Sequence, residues 1–85
     1  AHLMDTLRID ILRQLQVMEI HGLPLDNILA GLRVAAHREL TVPELERTLR
    51  HLADLSYVSA YDAKLGGRRW RITALGTDAL KEAGL

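Results

Sequence analysis

The first segment of the chain carries apolar side chains at three- and four-residue steps. The residues with this spacing are Leu7, Ile11, Leu15 and Met18. Such a repeat places side chains on one face of an α-helix. Neither Gly nor Pro, the two residues that most weaken a helix, occurs between residues 4 and 20. The pattern therefore predicts a first helix over about residues 4–20.

A second helix is predicted from Pro24 to His37. Gly22 favours the end of the preceding helix, and Pro24 suits the opening turn of the next one. The inner face of this helix is formed by Leu25, Ile28, Leu29, Leu32, Ala35 and Ala36. Because Ala30 and Gly31 have little side-chain bulk, we expect a close contact with another helix there.

The start of a third helix has a clear local signature. Thr41 and Glu44 match the S/T-x-x-E capping box, in which side chains bind the free N–H groups of a helix start. Leu40 and Leu45 occupy the two positions of a hydrophobic staple. Pro43 is tolerated because first-turn amides have no acceptor within the helix. We therefore predict that Thr41 caps this helix.

The third helix is predicted over about residues 42–55. Its buried stripe consists of Leu45, Leu49, Leu52 and Leu55. Only residues 37–40 separate this helix from the second one. Two helices joined by so short a connection are typical of a helix-turn-helix.

Two later segments alternate in character and predict β-strands. Residues 57–61 and 69–73 contain β-branched and aromatic side chains. Between them, Gly66 and Gly67 can adopt positive φ, which favours a tight connection. The simplest arrangement is a β-hairpin, or wing, over about residues 57–73.

A short last helix, capped by Thr73 or Thr77 and ended by Gly84, completes the prediction. The expected fold is mainly α with a small β-hairpin: a three-helix core, a two-stranded wing and a short C-terminal helix. We expect a single domain over residues 1–85. Residues 1–3 precede Met4, a candidate native start, and we assign them no role.

Composition agrees with a small helical domain. The chain is 48% hydrophobic, but only 4% aromatic and without Phe, so its core must be aliphatic. It has no cysteine, which excludes disulfides and thiolate metal sites. No apolar run approaches the roughly 20 residues of a membrane-spanning helix. We therefore expect a soluble, cytoplasmic protein without a membrane partner.

The run Arg-Trp-Arg-Ile-Thr-Ala-Leu-Gly at residues 69–76, with the order of elements above, resembles winged helix-turn-helix regulators of the MarR-like and PadR-like families. In those families a basic strand with an Ile-Thr pair leads through a Gly into the final helix. The matching positions here are Arg71, Ile72, Thr73 and Gly76. The resemblance covers nearly the whole chain and implies a protein that binds double-stranded DNA.

The resemblance also implies that the third helix enters the major groove. A helical wheel places five residues opposite the leucine stripe, namely Pro43, Arg47, Arg50, His51 and Asp54. Arg47 and Arg50 are the candidate base readers, since Arg binds guanine through two hydrogen bonds. The other candidate contacts on this helix are Thr41, Pro43 and His51. The alternative is a solvated face with ion pairs such as Glu46 with Arg50.

The wing concentrates positive charge, although the chain as a whole has a formal net charge of +0. Lys64, Arg68, Arg69 and Arg71 lie within eight residues with no acid between them. We expect them to contact phosphates or a minor groove. The alternative is a charged edge strand that discourages aggregation. Strand alternation places Trp70 on the other face from Arg69 and Arg71, as a cover for the core.

Other chemistry is not indicated. The histidines show no metal-ligand spacing and have no Cys beside them, so we predict no metal and no cofactor. They are His2, His21, His37 and His51. The only serines are Ser56 and Ser59, and no nucleophile or phosphate-binding motif surrounds them. We therefore predict that the chain is not an enzyme.

Several apolar residues fall away from the predicted inner faces of the first two helices. They are Ile9, Val17, Ile20 and Val34. Together they predict a patch where a second subunit or another protein docks. The leading hypothesis is a small bacterial or phage transcriptional regulator. The alternative is a winged-helix adaptor that binds a protein within a larger assembly, which the neutral net charge favours.

Overall fold

The computed structural model describes residues 4–84, so the expectation about residues 1–3 lies outside the described residues. The elements are α1 (Thr6–Val17), β1 (Leu23–Pro24), α2 (Leu25–Ala35), α3 (Val42–Asp54), β2 (Val58–Ala63), β3 (Gly67–Ile72) and α4 (Ala74–Glu82). Four helices and a three-stranded sheet form the mainly helical, winged arrangement that the sequence predicts.

The sheet is antiparallel, with the strand order β1-β3-β2. β2 and β3 form the predicted hairpin, with a register that runs from Val58 opposite Ile72 to Ala63 opposite Gly67. β1 was not expected. It adds a short third strand on the other side of β3, where Leu23 lies opposite Trp70. β3 is therefore the central strand and joins the wing to the start of α2.

The core lies between the helices and one face of the sheet. Its fully buried large side chains are Ile11, Leu12, Leu15, Ile28, Leu32, Leu45, Leu49, Leu52 and Leu80. Trp70 and Ile72 from β3 close it on the sheet side. Trp70 is therefore a core cover, as predicted from the alternation. Leu55 departs from the prediction, since it follows the last residue of α3 and is 36% exposed.

α1 is shorter than predicted, because it ends at Val17 and not at Ile20. The next residues form a turn in which the Gly22 N–H donates to the Met18 carbonyl at 2.8 Å. Gly22 has φ +68°, and a Cβ there would lie 2.5 Å from the Trp70 carbonyl oxygen. The approach of this backbone to β3 therefore requires glycine. Pairing of β1 with β3 ends the helix where periodicity alone would continue it.

Threonine caps begin the third and fourth helices. The Thr41 hydroxyl accepts a hydrogen bond from the Glu44 N–H at 3.3 Å and donates one to the Glu44 carboxylate at 2.9 Å. Thr73, and not Thr77, caps α4, since its hydroxyl accepts from the Gly76 N–H at 3.1 Å. Both starts are thus set by a side chain that binds an otherwise unpaired amide.

The glycine of the Ile-Thr-x-x-Gly run has a packing role. A Cβ on Gly76 would lie 2.2 Å from the carbonyl oxygen of Tyr57, just before β2. The same carbonyl accepts a hydrogen bond from the Thr73 N–H at 3.0 Å. The first turn of α4 therefore packs directly against the base of the hairpin, which only a residue without a side chain permits. In residues 4–84, no helix is long and apolar enough to cross a membrane.

The leucine stripe of α3 supports a direct test of the core. Leu49 is 0% exposed, so Leu49→Ala should lower the free energy of unfolding by about 2–5 kcal/mol, through lost burial and a cavity. Leu65→Ala removes the same atoms from a residue that is 96% exposed and is the matched control. Chemical denaturation would compare the two. Equal stability of both variants would contradict this placement of α3.

Candidate nucleic-acid interface

The face of α3 opposite the leucine stripe is open to solvent. Its exposed residues are Pro43, Arg47, Arg50, His51 and Asp54. Thr41 is also exposed, at the N-cap. The helical wheel therefore predicted correctly that these five side chains of α3 are exposed. Thr48 faces the protein instead, and its hydroxyl donates to the Glu44 carbonyl at 2.8 Å.

The two arginines of α3 are not held in ion pairs. Among residues 4–84, the side-chain ion pairs join Asp5 to Arg8, Asp10 to His37 and Asp62 to Arg68. The helical pair between Glu46 and Arg50, which was the alternative interpretation of this face, is not formed. The guanidinium groups of Arg47 and Arg50 are therefore available to an external ligand.

The alternation of β3 divides the basic wing cluster between two faces of the hairpin. Residues opposite each other in an antiparallel pair point to the same side. Arg68 shares a side with Trp70 and the core, which we call the inner face. Arg69 and Arg71 point to the opposite side, the outer face. The four basic residues therefore do not lie on one face of the hairpin, although they are close in sequence.

On the inner face, α3 and the hairpin enclose a small cleft, which we call the helix–wing cleft. It has a volume of about 180 Å³ and is lined by Leu25, Glu46, Arg50, Arg68 and Trp70. One arginine thus comes from α3 and one from β3, over an apolar floor. Arg68 also lies 3.6 Å from the Asp62 carboxylate across the hairpin, with both side chains largely exposed. The cleft is suited to an anionic or hydrogen-bonding ligand that bridges helix and wing.

On the outer face, the arginines bind the protein's own backbone. Arg69 Nε donates to the His21 carbonyl at 3.1 Å, and Arg71 Nη1 donates to the Ile20 carbonyl at 3.3 Å. The Tyr61 hydroxyl also donates to the His21 carbonyl. The Arg71 guanidinium lies 5.0 Å from the centre of the Tyr61 ring, within the range of a cation–π contact. These side chains hold the α1–β1 turn, residues 18–22, against the sheet.

The sequence did not predict this intramolecular role, because every residue has a backbone carbonyl and no residue type marks the one that accepts the hydrogen bond. The expectation that Arg69 and Arg71 contact phosphates stays a prediction. Lys64 differs from them in its position, since it lies exposed in the connection between β2 and β3, whereas Arg69 and Arg71 bind carbonyls of the α1–β1 turn. Among the described residues, Lys64 and Arg68 are therefore the basic wing residues that do not bind the protein's own backbone.

The predicted apolar patch is only partly present. Val17, Ile20 and Val34 are 81%, 77% and 89% exposed. Ile9 was placed wrongly with them, because it is half-buried and packs against the core. Ile20 also lies in the α1–β1 turn and not on the first helix. The exposed apolar side chains therefore belong to the last residue of α1, to the turn that follows it and to α2, and do not form one stripe of α1.

The histidines are dispersed. His37 Nε2 lies 2.8 Å from Asp10 Oδ2 and joins the end of α2 to α1. His21 is in the α1–β1 turn and His51 is on the exposed face of α3, while His2 lies outside the described residues. Within residues 4–84, no three His, Cys, Asp or Glu side chains are grouped as a metal site would require.

No protein-family model and no curated protein matches this chain. Two of the solved structures that are similar to it are both regulators. The Helicobacter pylori ferric uptake regulator Fur, described as having three functional metal binding sites, has a TM-score of 0.72 and 19% identity, over 85% of this chain and 47% of that one. A PadR family transcription regulator from hypervirulent Clostridium difficile has a TM-score of 0.68 and 22% identity, over 89% of this chain and 82% of that one.

These similarities confirm the winged helix-turn-helix fold that the sequence predicted. This chain spans about half the length of the Fur chain. Both neighbours are regulators, and neither is described as an enzyme. At this level of identity the likeness is one of fold.

The contacts of the outer face predict a structural effect for Arg69. Arg69→Ala removes the hydrogen bond to the His21 carbonyl and should lower the free energy of unfolding by about 1 kcal/mol. Arg68→Ala is the matched control, because Arg68 has only a long, exposed ion pair to lose. Thermal melts would measure both. An Arg69→Ala protein as stable as the wild type would show that the turn does not depend on this contact.

Proposed function

We propose that this chain binds double-stranded DNA as a transcriptional regulator of bacterial or phage type. The observation that carries the proposal is the helix–wing cleft, in which Arg50 of α3 and Arg68 of β3 line one opening. Phosphates line both edges of each groove of a DNA duplex. A protein that contacts bases in a groove therefore also needs cationic side chains beside those phosphates. The fold of the two neighbouring regulators supports the same assignment.

In this proposal α3 lies in the major groove. The groove is about 12 Å wide, and a helix with its side chains is about 10–12 Å across. Arg47 and Arg50 are one turn apart on the exposed face and have no ion-pair partner among residues 4–84. Each has the paired donors that recognise guanine O6 and N7. Thr41, Pro43 and His51 border this region as further contacts.

The wing supplies the phosphate contacts. Arg68 on the inner face and Lys64 in the hairpin connection are both exposed. They are the basic residues nearest to the turn of the hairpin. Arg69 and Arg71 support them by holding the sheet against the α1–β1 turn. The phosphate contacts expected of these two arginines are therefore secondary in this proposal.

Acidic residues near the cleft limit general attraction to DNA. Glu46 lines the cleft and Asp62 accompanies Arg68. A carboxylate repels phosphates but accepts a hydrogen bond from the cytosine amino group. With a net charge of +0, the protein should therefore depend on a well-matched site more than on bulk electrostatic attraction.

A salt titration with mixed duplex DNA tests the proposal. Arg68→Ala should weaken binding to all duplexes about equally and lower the slope of log K against log salt by about one unit. Arg50→Ala should instead cost about 1–3 kcal/mol mainly on a selected preferred site. The two variants separate phosphate contact from base reading.

The matched control is Arg13→Ala, because Arg13 is an exposed arginine of α1 that lies beside α2 and not at the cleft. Its slope and affinity should equal those of the wild type. A wild-type protein that binds no duplex at low salt, where the electrostatic term is largest, would refute DNA binding.

A second candidate function is the docking of a protein, either a second copy of the chain or a different partner. It is favoured by the exposure of Val17, the last residue of α1, and of Ile20 in the α1–β1 turn, both of which are more than three-quarters exposed. Val34 on α2 is a further exposed apolar residue. Burial of such side chains is a common driving force for association.

Self-association through this region predicts a concentration-dependent dimer that the double variant Val17→Glu/Ile20→Glu converts to a monomer. Buried glutamates without partners would oppose the interface. Sedimentation velocity at several concentrations measures the state, and Val34→Glu tests whether α2 takes part. A wild-type protein that stays monomeric at the highest concentration excludes the homodimer.

A further inference from the structure

The connection between α2 and α3, residues 36–41, is tied to both of the preceding helices. From α2, Arg33 Nε donates to the Leu40 carbonyl at 2.9 Å. From α1, Asp10 Oδ2 lies 2.8 Å from His37 Nε2. Both contacts are partly buried, so solvent weakens them less than it weakens an exposed contact. Two polar side-chain contacts therefore hold this short connection in place.

The Arg33 contact acts directly before the start of α3. Leu40 is 6% exposed and precedes Thr41, the N-cap residue. The Leu40 side chain packs in the core, while its carbonyl is bound by Arg33. The peptide group that joins Leu40 to the cap is therefore held on two sides, which leaves the first turn of α3 little freedom to move.

The Asp10 contact acts at the other end of the connection. The His37 N–H donates to the Leu32 carbonyl near the end of α2 at 2.8 Å, and the His37 carbonyl accepts from the Leu40 N–H at 3.1 Å. The imidazole of His37 then reaches α1, and the side chains of His37 and Asp10 are only 20% and 27% exposed. His37 thus joins α1, α2 and the residue before the N-cap of α3.

Hydrophobic packing and hydrogen bonding constrain α3 in different ways. Burial of the leucine stripe is non-directional, because it depends on the apolar area that is removed from water. A hydrogen bond is directional, because it weakens steeply as its angle departs from linearity. The leucines therefore set how deeply α3 packs, whereas the contacts of Arg33 and His37 fix where the helix begins.

The exposed face of α3 carries the side chains that the proposed function places in the major groove. Arg47 follows the N-cap Thr41 by six positions, so it moves with the start of the helix. Contacts to base edges require placement within about 0.5 Å. Contacts to phosphates carry no sequence information. Displacement of the helix start should therefore lower discrimination between sequences before it lowers general affinity.

We propose that Arg33 and the Asp10–His37 pair are positioning residues for base reading, because they fix the first turn of α3, and with it Arg47, against α1 and α2. The proposal rests on the proposed function and adds to it the residues that set its selectivity. None of the three side chains contacts DNA. Their loss should therefore lower the preference for a matched site without removing a phosphate contact.

The test compares Arg33→Met with the wild type on two duplexes, a preferred sequence selected from a random pool and a mixed sequence. The variant should bind the preferred duplex about tenfold more weakly. Its affinity for the mixed duplex and its salt slope should equal those of the wild type, because the slope reports phosphate contacts. A variant that was only partly folded would instead lose the same factor on both duplexes.

Arg38→Met is the matched control. Arg38 is an exposed arginine of the same connection, and its guanidinium does not bind the Leu40 carbonyl. The control removes the same charge and should leave the ratio of the two affinities unchanged.

The Asp10–His37 pair is tested by a double-mutant cycle. Asp10→Ala and His37→Ala should each lower the ratio of the two affinities, and the double variant should lower it no further, because both changes remove one shared contact. Asp10→Asn retains an oxygen that accepts from His37 and should restore the ratio. Thermal melts check that each variant is folded at the temperature of the binding assay.

The outcomes distinguish this inference from the function on which it rests. An Arg33→Met protein with the wild-type ratio, or one that loses the same factor on both duplexes, overturns the positioning role and leaves DNA binding intact. A salt slope lowered by about one unit would show that Arg33 contacts a phosphate instead. A wild-type protein without any preferred sequence also overturns the inference alone, whereas one that binds no duplex at low salt overturns both.

Discussion

The pairing of β3 with a strand on each side is the interaction on which the rest of the structure depends. Through Trp70 and Ile72, β3 closes the core beneath the sheet. Through β1 it fixes the entry to α2, and through β2 it forms the wing. The sharp turn at Gly22 and the tight contact at Gly76 both arise from how closely the neighbouring backbone approaches this sheet. One short strand thereby fixes the positions of the α1–β1 turn, the start of α2, the start of α4 and the wing.

The same strand, β3, directs its basic side chains to two opposite faces of the sheet. Because successive side chains alternate in direction, Arg68 is directed to the cleft beside α3, whereas Arg69 and Arg71 are directed to the carbonyls of the α1–β1 turn. Adjacent residues of one type thus acquire different tasks. The outer pair stabilises the scaffold, and the inner residue remains open to a ligand.

Neutral net charge and local basic character are compatible in this arrangement. Acidic side chains lie beside the arginines at the cleft and offset part of their positive charge. Such a surface gives weak general attraction to nucleic acid and favours ligands that match its geometry. Arg69 and Arg71 bind the α1–β1 turn, which also carries an exposed apolar side chain, Ile20. A protein that docked on this turn would therefore contact the segment that these two wing arginines hold.

The sequence by itself determined the features that depend on local chemistry. Thr41 and Glu44 mark the start of α3, leucine spacing identifies its buried face, and alternation separates Trp70 from Arg69. Tertiary structure alone decided the end of α1 at Val17, the strand at Leu23–Pro24 and the burial of Ile9. It also decided that Arg50 and Arg68 line the same cleft, and which carbonyls the outer arginines Arg69 and Arg71 bind. Helix caps and hydrophobic periodicity depend on residues that are a few positions apart, so they can be recognised in the sequence. Strand pairing and carbonyl contacts join segments up to about 50 residues apart, and a carbonyl is the same in every residue.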